Sequence, residues 1–303
     1  MKHVFIVNPV SGHGRAMKVV PLIHAYFKSH PGDYVIHETT GHLSAKEFTS
    51  RYTANDDACV YSVGGDGTAF EVLNGLNDGV RMAVIPAGTG NDFFRMAHVS
   101  SKDMAMLLAQ TIEGKDVHVD HGLINGNRII NTSSMGFDAQ INNKATSIGK
   151  KLPIPSKLVY IVSALITLSE LQAYDLTLEL PDGVHHFHAV LIVINNGRWY
   201  GGGFQPTPMA DIQDGYFDIC VVDDVKWYTA LRLLPKYMKG THITEKYAHF
   251  FKADKFVLKS EGEVDIAFDG EPIRGNRFDF EMKKGALWLR VPQHSPLDSN
   301  YPL

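Results

Sequence analysis

The stretch Tyr61-Ser-Val-Gly-Gly-Asp-Gly-Thr68, which continues into Ala69-Phe-Glu-Val-Leu-Asn-Gly-Leu76, decides the fold of this chain. The apolar run from Ala58 to Val63 ends at two glycines. Beyond the glycines, apolar residues recur at i, i+3, i+4 and i+7: Ala69, Val72, Leu73 and Leu76. This spacing is typical of a helix with one buried face, so the sequence predicts a strand, a glycine turn and a helix in succession.

A glycine turn that leads into a helix is suited to binding phosphate. Glycines let backbone N–H groups approach an anion closely, and the helix N-terminus adds unsatisfied donors and the positive end of the helix dipole. Asp66 lies inside the turn, where a bound phosphate would repel its carboxylate unless a cation such as Mg²⁺ lay between them. The turn therefore predicts a nucleotide site with a metal ion; a tight connection without a ligand is the alternative.

Residues 1–123 alternate between predicted strands and predicted helices. The strands are expected at His3–Asn8, Asp33–Glu38, Ala58–Val63 and Met82–Ile85, and the helices at Ala16–Ser29, Ser44–Tyr52, Thr68–Leu76 and Lys102–Gln110. Repeated βα units predict a three-layer α/β domain with a parallel sheet, whose ligands lie beyond the carboxyl ends of the strands. Three segments that follow such strand ends should therefore meet at one edge: Asn8 to Gly14, Gly64 to Thr68 and Pro86 to Asp92.

From residue 124 the pattern changes to short strands joined by turns. Asn125-Gly126 and Asp182-Gly183 are hairpin signals. Helices interrupt this pattern near Ala139–Lys150, Lys157–Gln172 and Trp227–Lys239. The sequence thus predicts a second domain at 124–290 that is mainly antiparallel and forms a β-sandwich, followed by a tail at 291–303.

Three segments together resemble one known family. Gly64-Gly-Asp-Gly-Thr68, Asn8-Pro-Val-Ser-Gly-His-Gly14 and Ile85-Pro-Ala-Gly-Thr-Gly-Asn-Asp92 are similar to motifs of the diacylglycerol kinase catalytic family of soluble bacterial lipid kinases. The wider superfamily includes sphingosine kinases and NAD kinases. The resemblance implies ATP and Mg²⁺ as cofactors. It also implies a nucleotide cleft lined by Asn8, Pro9, Ser11, Gly12, Gly64, Gly65, Asp66, Gly67, Thr68, Gly88, Thr89, Gly90, Asn91, Asp92 and Asp120.

Asp269-Gly-Glu271 is the most informative stretch of the second half. By itself, Asp-Gly between two predicted strands indicates a hairpin turn. The resemblance implies that this turn projects into a cleft between the domains, with Asp269 as the general base toward a lipid hydroxyl and Glu271 as an alternative base or orienting residue. Asp66 completes the expected catalytic set. Because phosphoryl transfer has a loose transition state, positioning and Mg²⁺ should matter more than the base.

A separate acidic loop, Ala210-Asp-Ile-Gln-Asp-Gly-Tyr-Phe-Asp218, offers oxygen ligands to a hard cation. A solvated Asp-Gly turn is the alternative. In related bacterial lipid kinases the matching loop holds a structural Mg²⁺. The resemblance implies that its ligands here are the Asp214 side chain and the backbone carbonyls of Asp211 and Tyr216.

Composition limits the partners and the location. A formal net charge of −4 and a pI near 6.4 argue against nucleic acid as a partner. Cys59 and Cys220 lie in apolar runs and are expected to be buried free thiols of a cytoplasmic protein. The most apolar segment, Leu158–Leu171, is shorter than the roughly 20 residues needed to span a bilayer. A lipid substrate would therefore be met at a membrane surface, by peripheral association during catalysis.

One basic segment is a candidate for that association. Four lysines surround the apolar stretch Leu152-Pro-Ile-Pro155: Lys144, Lys150, Lys151 and Lys157. Such a segment can dock on an anionic bilayer, and a solvated loop is the alternative. The sequence leaves the oligomeric state open, a homodimer included.

Three functions are compatible with these motifs. The first is an ATP-dependent lipid kinase that phosphorylates a lipid hydroxyl, with diacylglycerol converted to phosphatidic acid in phospholipid metabolism. The second is an NAD kinase, although the sequence lacks both the Asn-Glu dipeptide after the nucleotide segments and the Gly-Ser-Thr-Ala-Tyr type of segment expected of that family. The third is a non-catalytic lipid or nucleotide sensor, against which the presence of Asp66, Asp269 and Glu271 counts. The motifs do not specify which lipid alcohol is the acceptor.

Overall fold

The computed structural model describes residues 1–97, 101–136 and 172–301. The sequence-predicted helices near 139–150 and 157–172, apart from the last residue of the second, lie outside these ranges, as does the basic segment around Leu152 to Pro155. The chain divides into two compact units. Unit 1 contains Met1–Asn131, Asp211–Gly215 and Met282–Leu303, and unit 2 contains Thr132–Ala210 and Tyr216–Glu281.

Unit 1 is built on parallel strands. The strands β1 (Lys2–Val7), β2 (Tyr34–Glu38), β3 (Ala58–Gly64) and β4 (Arg81–Pro86) lie in the order β4-β3-β1-β2, and each neighbouring pair is parallel. The helices are α1 (Val20–Ser29), α2 (Ser44–Thr49), α3 (Asp66–Gly75) and α4 (Met104–Ile112). These elements confirm the predicted parallel α/β pattern. The three-layer arrangement stays a prediction.

The predicted helix at Ala16–Ser29 is divided in the structure. A 3₁₀ turn occupies Ala16–Lys18, and α1 then begins at Val20 with Pro21 in its first turn. Proline is tolerated in that position because the first backbone N–H groups of a helix have no intrahelical acceptor. Helix α4 begins after Asp103, whose carboxylate accepts hydrogen bonds from the amides of Ala105 and Met106.

The core of unit 1 explains why its central strands read as continuous apolar runs. All seven residues of β3 are buried, because helices and neighbouring strands cover it on both faces. Phe5 and Tyr61 stack with their ring centroids 4.5 Å apart, and Ile23 and Phe27 from α1 pack in the same cluster. This packing fixes the carboxyl ends of β1, β3 and β4, where the predicted site residues begin.

Two further strands of unit 1 form a hairpin. β5 (Lys115–Ile124) pairs with β6 (Asn127–Ile129) through Asn125 and Gly126, which both have positive φ, 47° and 83°. Two such residues define a tight type I′ turn, as the Asn-Gly signal predicts. The last ten residues of β13 (Glu271–Val291) also belong to unit 1, where Leu289 and Arg290 pair in parallel with β4.

Unit 2 is antiparallel. It contains β7 (Thr132–Gly136), β8 (Tyr174–Leu180), β9 (Gly183–Asn195), β10 (Phe217–Asp223), β11 (Ala248–Ala253), β12 (Lys255–Phe268) and the first part of β13. The pairs β8–β9, β9–β10, β10–β11, β12–β13, β7–β9, β7–β12 and β8–β12 are all antiparallel. The β8–β9 hairpin turns at residues 181–182, one residue earlier than predicted. The β-sandwich arrangement and the domain limits 124–290 and 291–303 stay predictions.

A single long helix, α5 (Trp227–Met238), lies between β10 and β11 in the sequence. Its bounds agree with the predicted helix at Trp227–Lys239. The aromatic core of unit 2 contains Phe256 and Phe280, which stack at 4.7 Å, and Phe217, which meets both rings edge-on. No helix in the described parts of the chain has the length and apolar character needed to cross a membrane.

Candidate active site

The three glycine turns of unit 1 lie side by side. They follow β1, β3 and β4 at residues 8–14, 64–68 and 86–92, and we refer to them as the glycine turns. The register pairs Val7 with Val63 and Gly64 with Pro86, so the three strands end at the same level. This arrangement places at one edge of the sheet the segments that the sequence predicts to meet there.

Hydrogen bonds join the turns into one structure. Asn8 Nδ2 donates to Thr68 Oγ1 at 3.2 Å, which links the first turn to helix α3. The Gly88 amide donates to the Gly64 carbonyl at 2.8 Å, and the Arg15 guanidinium donates to the Gly88 carbonyl at 2.6 Å. Arg15 was not among the predicted site residues, because its partner is 73 residues away and no local pattern marks it.

Two of the glycines are required by packing inside the protein. A Cβ atom on Gly12 would lie 2.1 Å from the Ala87 carbonyl oxygen, and one on Gly88 would lie 2.2 Å from the Gly65 Cα. Both distances are far below van der Waals contact with backbone atoms. These glycines therefore allow the turns to approach one another.

Gly67 has a different environment. It is exposed, it is the second residue of α3, and a Cβ atom there would meet nothing within 4 Å. Its φ is not positive, so neither backbone conformation nor internal packing calls for glycine. Glycine in a helix is about 1 kcal/mol less favourable than alanine. An approach by something outside the chain is a physical reason to keep this position bare.

The first amides of α3 precede its ladder of hydrogen bonds. The ladder begins where the Ala69 amide donates to the Gly65 carbonyl at 3.1 Å. The amides of Asp66, Gly67 and Thr68 come before it, as the first amides of any helix do. They lie at the positive end of the helix dipole, which favours an anion such as phosphate.

Two carboxylates lie beside these turns. The Asp66 Oδ2 and Asp92 Oδ2 atoms are 3.0 Å and 3.3 Å from the position that a Cβ atom on Gly90 would take, so the two carboxylates are close neighbours. Asp66 Oδ1 accepts a hydrogen bond from the Phe93 amide at 3.1 Å, and Asp92 is buried with Arg95 Nε at 3.5 Å from its Oδ1. Two carboxylates next to the N-terminus of a helix supply hard oxygen atoms of the kind that Mg²⁺ prefers.

Asn91 closes the turn between the two carboxylates. Its φ is +53°, its Oδ1 accepts from the Gly88 amide at 2.9 Å, and its Nδ2 donates to the Gly88 carbonyl at 3.0 Å. Asparagine is one of the few residues that adopt this left-handed conformation readily. The turn leaves Thr89 exposed at its tip. Asn91 therefore has a shaping role, which the Gly-Thr-Gly-Asn-Asp pattern does not reveal by itself.

Asp120 forms hydrogen bonds with residues of unit 1 that lie outside the glycine turns. It is fully buried, and its Oδ1 accepts from the Gly285 amide at 2.6 Å. Its Oδ2 accepts from the amides of Gly215 at 2.7 Å and Asp214 at 3.1 Å, and from the Tyr301 hydroxyl at 3.2 Å. Burial raises the pKa of this carboxyl group, and the amide hydrogen bonds act in the opposite direction. These contacts give Asp120 a structural role; its place in the nucleotide cleft stays a prediction.

The loop that Asp120 holds is the predicted metal loop. Asp211 Oδ1 accepts from the Gln213 amide at 3.0 Å, and Gln213 Nε2 donates to the carbonyls of His118 and Asp298, each at 2.8 Å. Within residues 1–97, 101–136 and 172–301, no three His, Cys, Asp or Glu side chains form a group that could hold a metal ion. The predicted site uses one carboxylate, from Asp214, and two carbonyls, so it stays a prediction.

The predicted catalytic hairpin lies in unit 2. Asp269 and Gly270 have φ values of 46° and 97°, and Phe268 pairs with Glu271 across the turn. These features define a two-residue type I′ turn, as the local Asp-Gly signal predicts. Asp269 Oδ1 accepts from the Thr132 amide at 3.0 Å, and the Asp269 amide donates to the Thr132 carbonyl at 2.8 Å. The carboxylate is therefore held in a defined orientation.

A chain of polar side chains supports this hairpin. Thr132 Oγ1 donates to Asn195 Oδ1 at 2.6 Å, and Asn195 Nδ2 donates to Thr207 Oγ1 at 2.8 Å. Asn195 and Thr207 are fully buried. The sequence predicts no role for Thr132 or Thr207. The available signal is that Asn195 follows the apolar run from Ala189 to Ile194 in β9, where a buried amide needs partners.

Comparisons with known proteins define the class of this protein. Residues 2–124 match the model of the diacylglycerol kinase catalytic domain, and residues 131–290 match the model of the YegS C-terminal NAD kinase beta sandwich-like domain. The chain therefore belongs to the diacylglycerol kinase catalytic family of lipid kinases, as the resemblance of its motifs predicts.

Individual relatives cover nearly the whole chain. A protein named diacylglycerol kinase from Mycobacterium tuberculosis (strain ATCC 25618 / H37Rv) is 31% identical over 300 residues, which are 95% of this chain and 94% of the relative. A probable lipid kinase YegS-like protein from Pseudomonas aeruginosa (strain UCBPP-PA14) is 28% identical over 84% of this chain and 83% of its own length. The crystal structure of a putative diacylglycerol kinase from Bacillus anthracis str. Sterne matches with a TM-score of 0.76 at 26% identity, covering 96% and 97% of the two chains.

Proposed function

We propose that this protein is an ATP-dependent lipid kinase that transfers the γ-phosphate of ATP to a lipid hydroxyl, with diacylglycerol as acceptor and phosphatidic acid as product. The observation that carries the proposal is the bare Gly67 at the N-terminus of α3, beside the Asp66 and Asp92 carboxylates. Relatives named diacylglycerol kinase and probable lipid kinase support the choice of a lipid acceptor over a dinucleotide.

The glycine turns supply the nucleotide site in this proposal. The amides of Asp66, Gly67 and Thr68 donate to phosphate oxygens, and Asn8 holds Thr68 in place through its side-chain hydrogen bond. Asp66 and Asp92 would hold Mg²⁺, which would supply positive charge to offset the negative charge of the phosphates.

Asp269 acts as the general base in this proposal. Its carboxylate accepts the proton of the lipid hydroxyl while the hydroxyl oxygen bonds to the γ-phosphorus and the bond from that phosphorus to ADP breaks. The products are a lipid phosphate and ADP, with the proton on the carboxyl group. The Thr132 amide orients Asp269 before the reaction, and the buried Asn195 keeps Thr132 in position. Glu271, directly after the turn, is the alternative base.

The acceptor of the phosphoryl group tests the proposal. Purified protein is incubated with [γ-³²P]ATP and Mg²⁺ together with diacylglycerol in mixed micelles, with NAD, or with neither. We expect label in a lipid phosphate, with a large loss of label in Asp66→Asn and Asp269→Asn. Gly262→Ala is the control, because Gly262 is exposed on β12 and its added Cβ would meet nothing within 4 Å. Label in the dinucleotide would identify an NAD kinase, and label in neither acceptor would leave a nucleotide or lipid sensor.

We also propose a structural Mg²⁺ in the loop at 211–216, held by the Asp214 carboxylate and the carbonyls of Asp211 and Tyr216. Support comes from Asp120, which fixes the loop backbone through the amides of Asp214 and Gly215. Thermal unfolding in MgCl₂ and in EDTA tests this site. The wild type should unfold at a higher temperature in MgCl₂, and Asp214→Asn should lose that difference. An equal Mg²⁺ effect in both proteins would refute the site.

A further inference from the structure

Helix α5 of unit 2 exposes an apolar face to solvent. The exposed fractions are 57% for Trp227, 54% for Tyr228, 38% for Leu231 and 48% for Met238. Residues 227, 231 and 238 are spaced by four and seven, so they lie along one side of the helix. Large aromatic and apolar side chains together on one exposed helix face mark an interaction surface more often than scattered ones do.

The apolar face of α5 that packs on the core lies next to the exposed one, since Leu234 is seven residues from Trp227. Leu233, Leu234 and Tyr237 line an open apolar cavity, whose opposite wall includes Val190 and Val222. A surface helix normally has one apolar stripe, which packs on the core, and a polar stripe in solvent. In α5 the apolar stripe is wider than the part that packs on the core, so Trp227, Leu231 and Met238 remain exposed along its edge.

The charged side chains of helix α5 and its two flanking residues all have one sign. Residues 226–239 carry four basic side chains and no acidic one: Lys226, Arg232, Lys236 and Lys239. Within the described parts of the chain, Arg232 and Lys236 form ion pairs with Glu245. The chain as a whole has a formal net charge of −4, so the positive charge of this segment is opposite in sign to that of the whole chain. A basic helix with exposed aromatic residues complements an anionic surface that also accepts apolar groups.

We propose that the face formed by Lys226, Trp227, Tyr228, Leu231, Met238 and Lys239, here called the α5 face, docks on an anionic lipid bilayer. Tryptophan and tyrosine favour the headgroup level of a membrane, where the ring is partly apolar and its polar group stays wet. Lysines beside them meet the anionic headgroups. This proposal rests on the proposed function: an enzyme whose substrate lies in a bilayer needs a surface that contacts the bilayer, and the α5 face is that surface.

Vesicle binding without ATP tests the α5 face directly. Wild type and variants are sedimented with vesicles of phosphatidylcholine alone and of phosphatidylcholine with one-quarter phosphatidylglycerol. Trp227→Ala/Leu231→Ala should lower the partition coefficient about tenfold or more on anionic vesicles, because it removes the groups that enter the interface. Lys226→Gln/Lys239→Gln should lower it by about tenfold on the anionic vesicles and little on the neutral ones, and the difference should disappear at high salt.

Matched variants elsewhere serve as controls. Met106→Ala/Val184→Ala removes two apolar side chains that are 53% and 58% exposed, and Lys18→Gln/Lys28→Gln removes two exposed charges; both should bind like the wild type. Tryptophan emission gives a second readout: it should shift to shorter wavelength on anionic vesicles, and Trp227→Phe should abolish the shift. Circular dichroism and thermal unfolding verify that each variant is folded.

Three outcomes would overturn the proposal. The first is a wild type that does not bind anionic vesicles, and the second is a set of α5-face variants that bind as well as the controls. The third is an α5-face variant that converts a dimer into a monomer, because a second copy would then cover the face. If only the proposed kinase activity were wrong, neither the wild type nor any variant would label lipid. Vesicle binding would still distinguish the α5-face variants from the controls. The two failures are therefore distinguishable.

Discussion

Replacing Gly67 with alanine tests whether this glycine is needed for folding stability or for ligand binding. Beyond its two chain neighbours and the nearby backbone of α3, the added methyl group meets no atom within 4 Å, and its helix position needs no positive φ. Alanine is up to about 1 kcal/mol more favourable than glycine in a helix, so Gly67→Ala should have equal or slightly greater stability against urea.

The same methyl group should weaken ATP binding. It would lie where the phosphates approach the first amides of α3 and would push them out of hydrogen-bond distance. Two hydrogen bonds to a charged group, at about 1.5–3 kcal/mol each, amount to at least roughly 3 kcal/mol. Since 1.4 kcal/mol is a factor of ten, the Kd for ATP with Mg²⁺ should rise about 100-fold or more.

Calorimetric titration of ATP into wild type, Gly67→Ala and Gly262→Ala provides the assay. Gly262→Ala should bind ATP like the wild type, because that glycine is also free of neighbours but lies on a strand of unit 2. A Gly67→Ala protein that binds ATP with wild-type affinity would refute the reasoning, since the phosphates could not then lie over the N-terminus of α3. A strongly destabilised Gly67→Ala would also refute it, because the glycine would then be explained by folding.

Three further changes follow from the same structure. Asp269→Asn should lower kcat about 10²–10⁴-fold with little effect on the Kd for ATP, measured by label transfer and by calorimetry; equal kcat would remove Asp269 as the base. Asp120→Ala should lower the free energy of unfolding, measured in urea, by at least about 3 kcal/mol, because the buried amides of Gly215 and Gly285 lose a charged acceptor. A decrease of less than about 1 kcal/mol would contradict the structural role of Asp120. Burial lowers the pKa of His121 to about 4 in the folded protein, whereas a histidine in an unfolded chain has a pKa of about 6.5. As the pH falls below about 6.5, the unfolded chain therefore binds a proton at His121 before the folded protein does. The stability of the wild type relative to His121→Gln should therefore be greatest above pH 6.5 and decrease toward pH 4, whereas an unchanged difference across this range would show that His121 is not held neutral.

Much of unit 1 could be predicted from sequence because its signals are local. The apolar run of β3, the two glycines and the i, i+3, i+4, i+7 spacing of α3 lie within twenty consecutive residues, and the structure places the strand and helix within two residues of their predicted bounds. The Asp269-Gly270 turn is equally local, since the chemistry of positive φ is carried by the two residues themselves.

The contacts that organise the site depend on partners far apart in sequence. Asp120 binds amides at positions 215 and 285, and nothing in the spacing of these residues indicates that the segments meet. The same holds for Thr132 and Asp269, which are 137 residues apart. Periodicity reports which face of an element is buried, but it does not report which segment covers it. For this reason the sequence did not show that Met282–Leu303 groups with unit 1.

Helix α5 shows a second limit. Its predicted bounds were nearly those observed, yet its apolar stripe is wider than the part that packs on the protein, and a pattern of hydrophobicity does not distinguish the residues that pack from those that remain exposed. The exposure of Trp227 and Leu231 in the structure makes that distinction. The basic segment at 144–157, which the sequence suggests for membrane contact, lies outside the described residues, and the α5 face consists of other residues.

Oxygen-isotope transfer shows whether the phosphoryl group of ATP reaches a lipid hydroxyl. The protein is incubated with Mg²⁺, a total lipid extract and ATP whose γ-phosphate oxygens are ¹⁸O, and the products are read by mass spectrometry. We expect a lipid phosphate monoester that carries three ¹⁸O atoms and one ¹⁶O atom, because the acceptor oxygen comes from the lipid hydroxyl. Isotope found only in inorganic phosphate or in a dinucleotide, with none in lipid, would contradict the proposed lipid kinase activity.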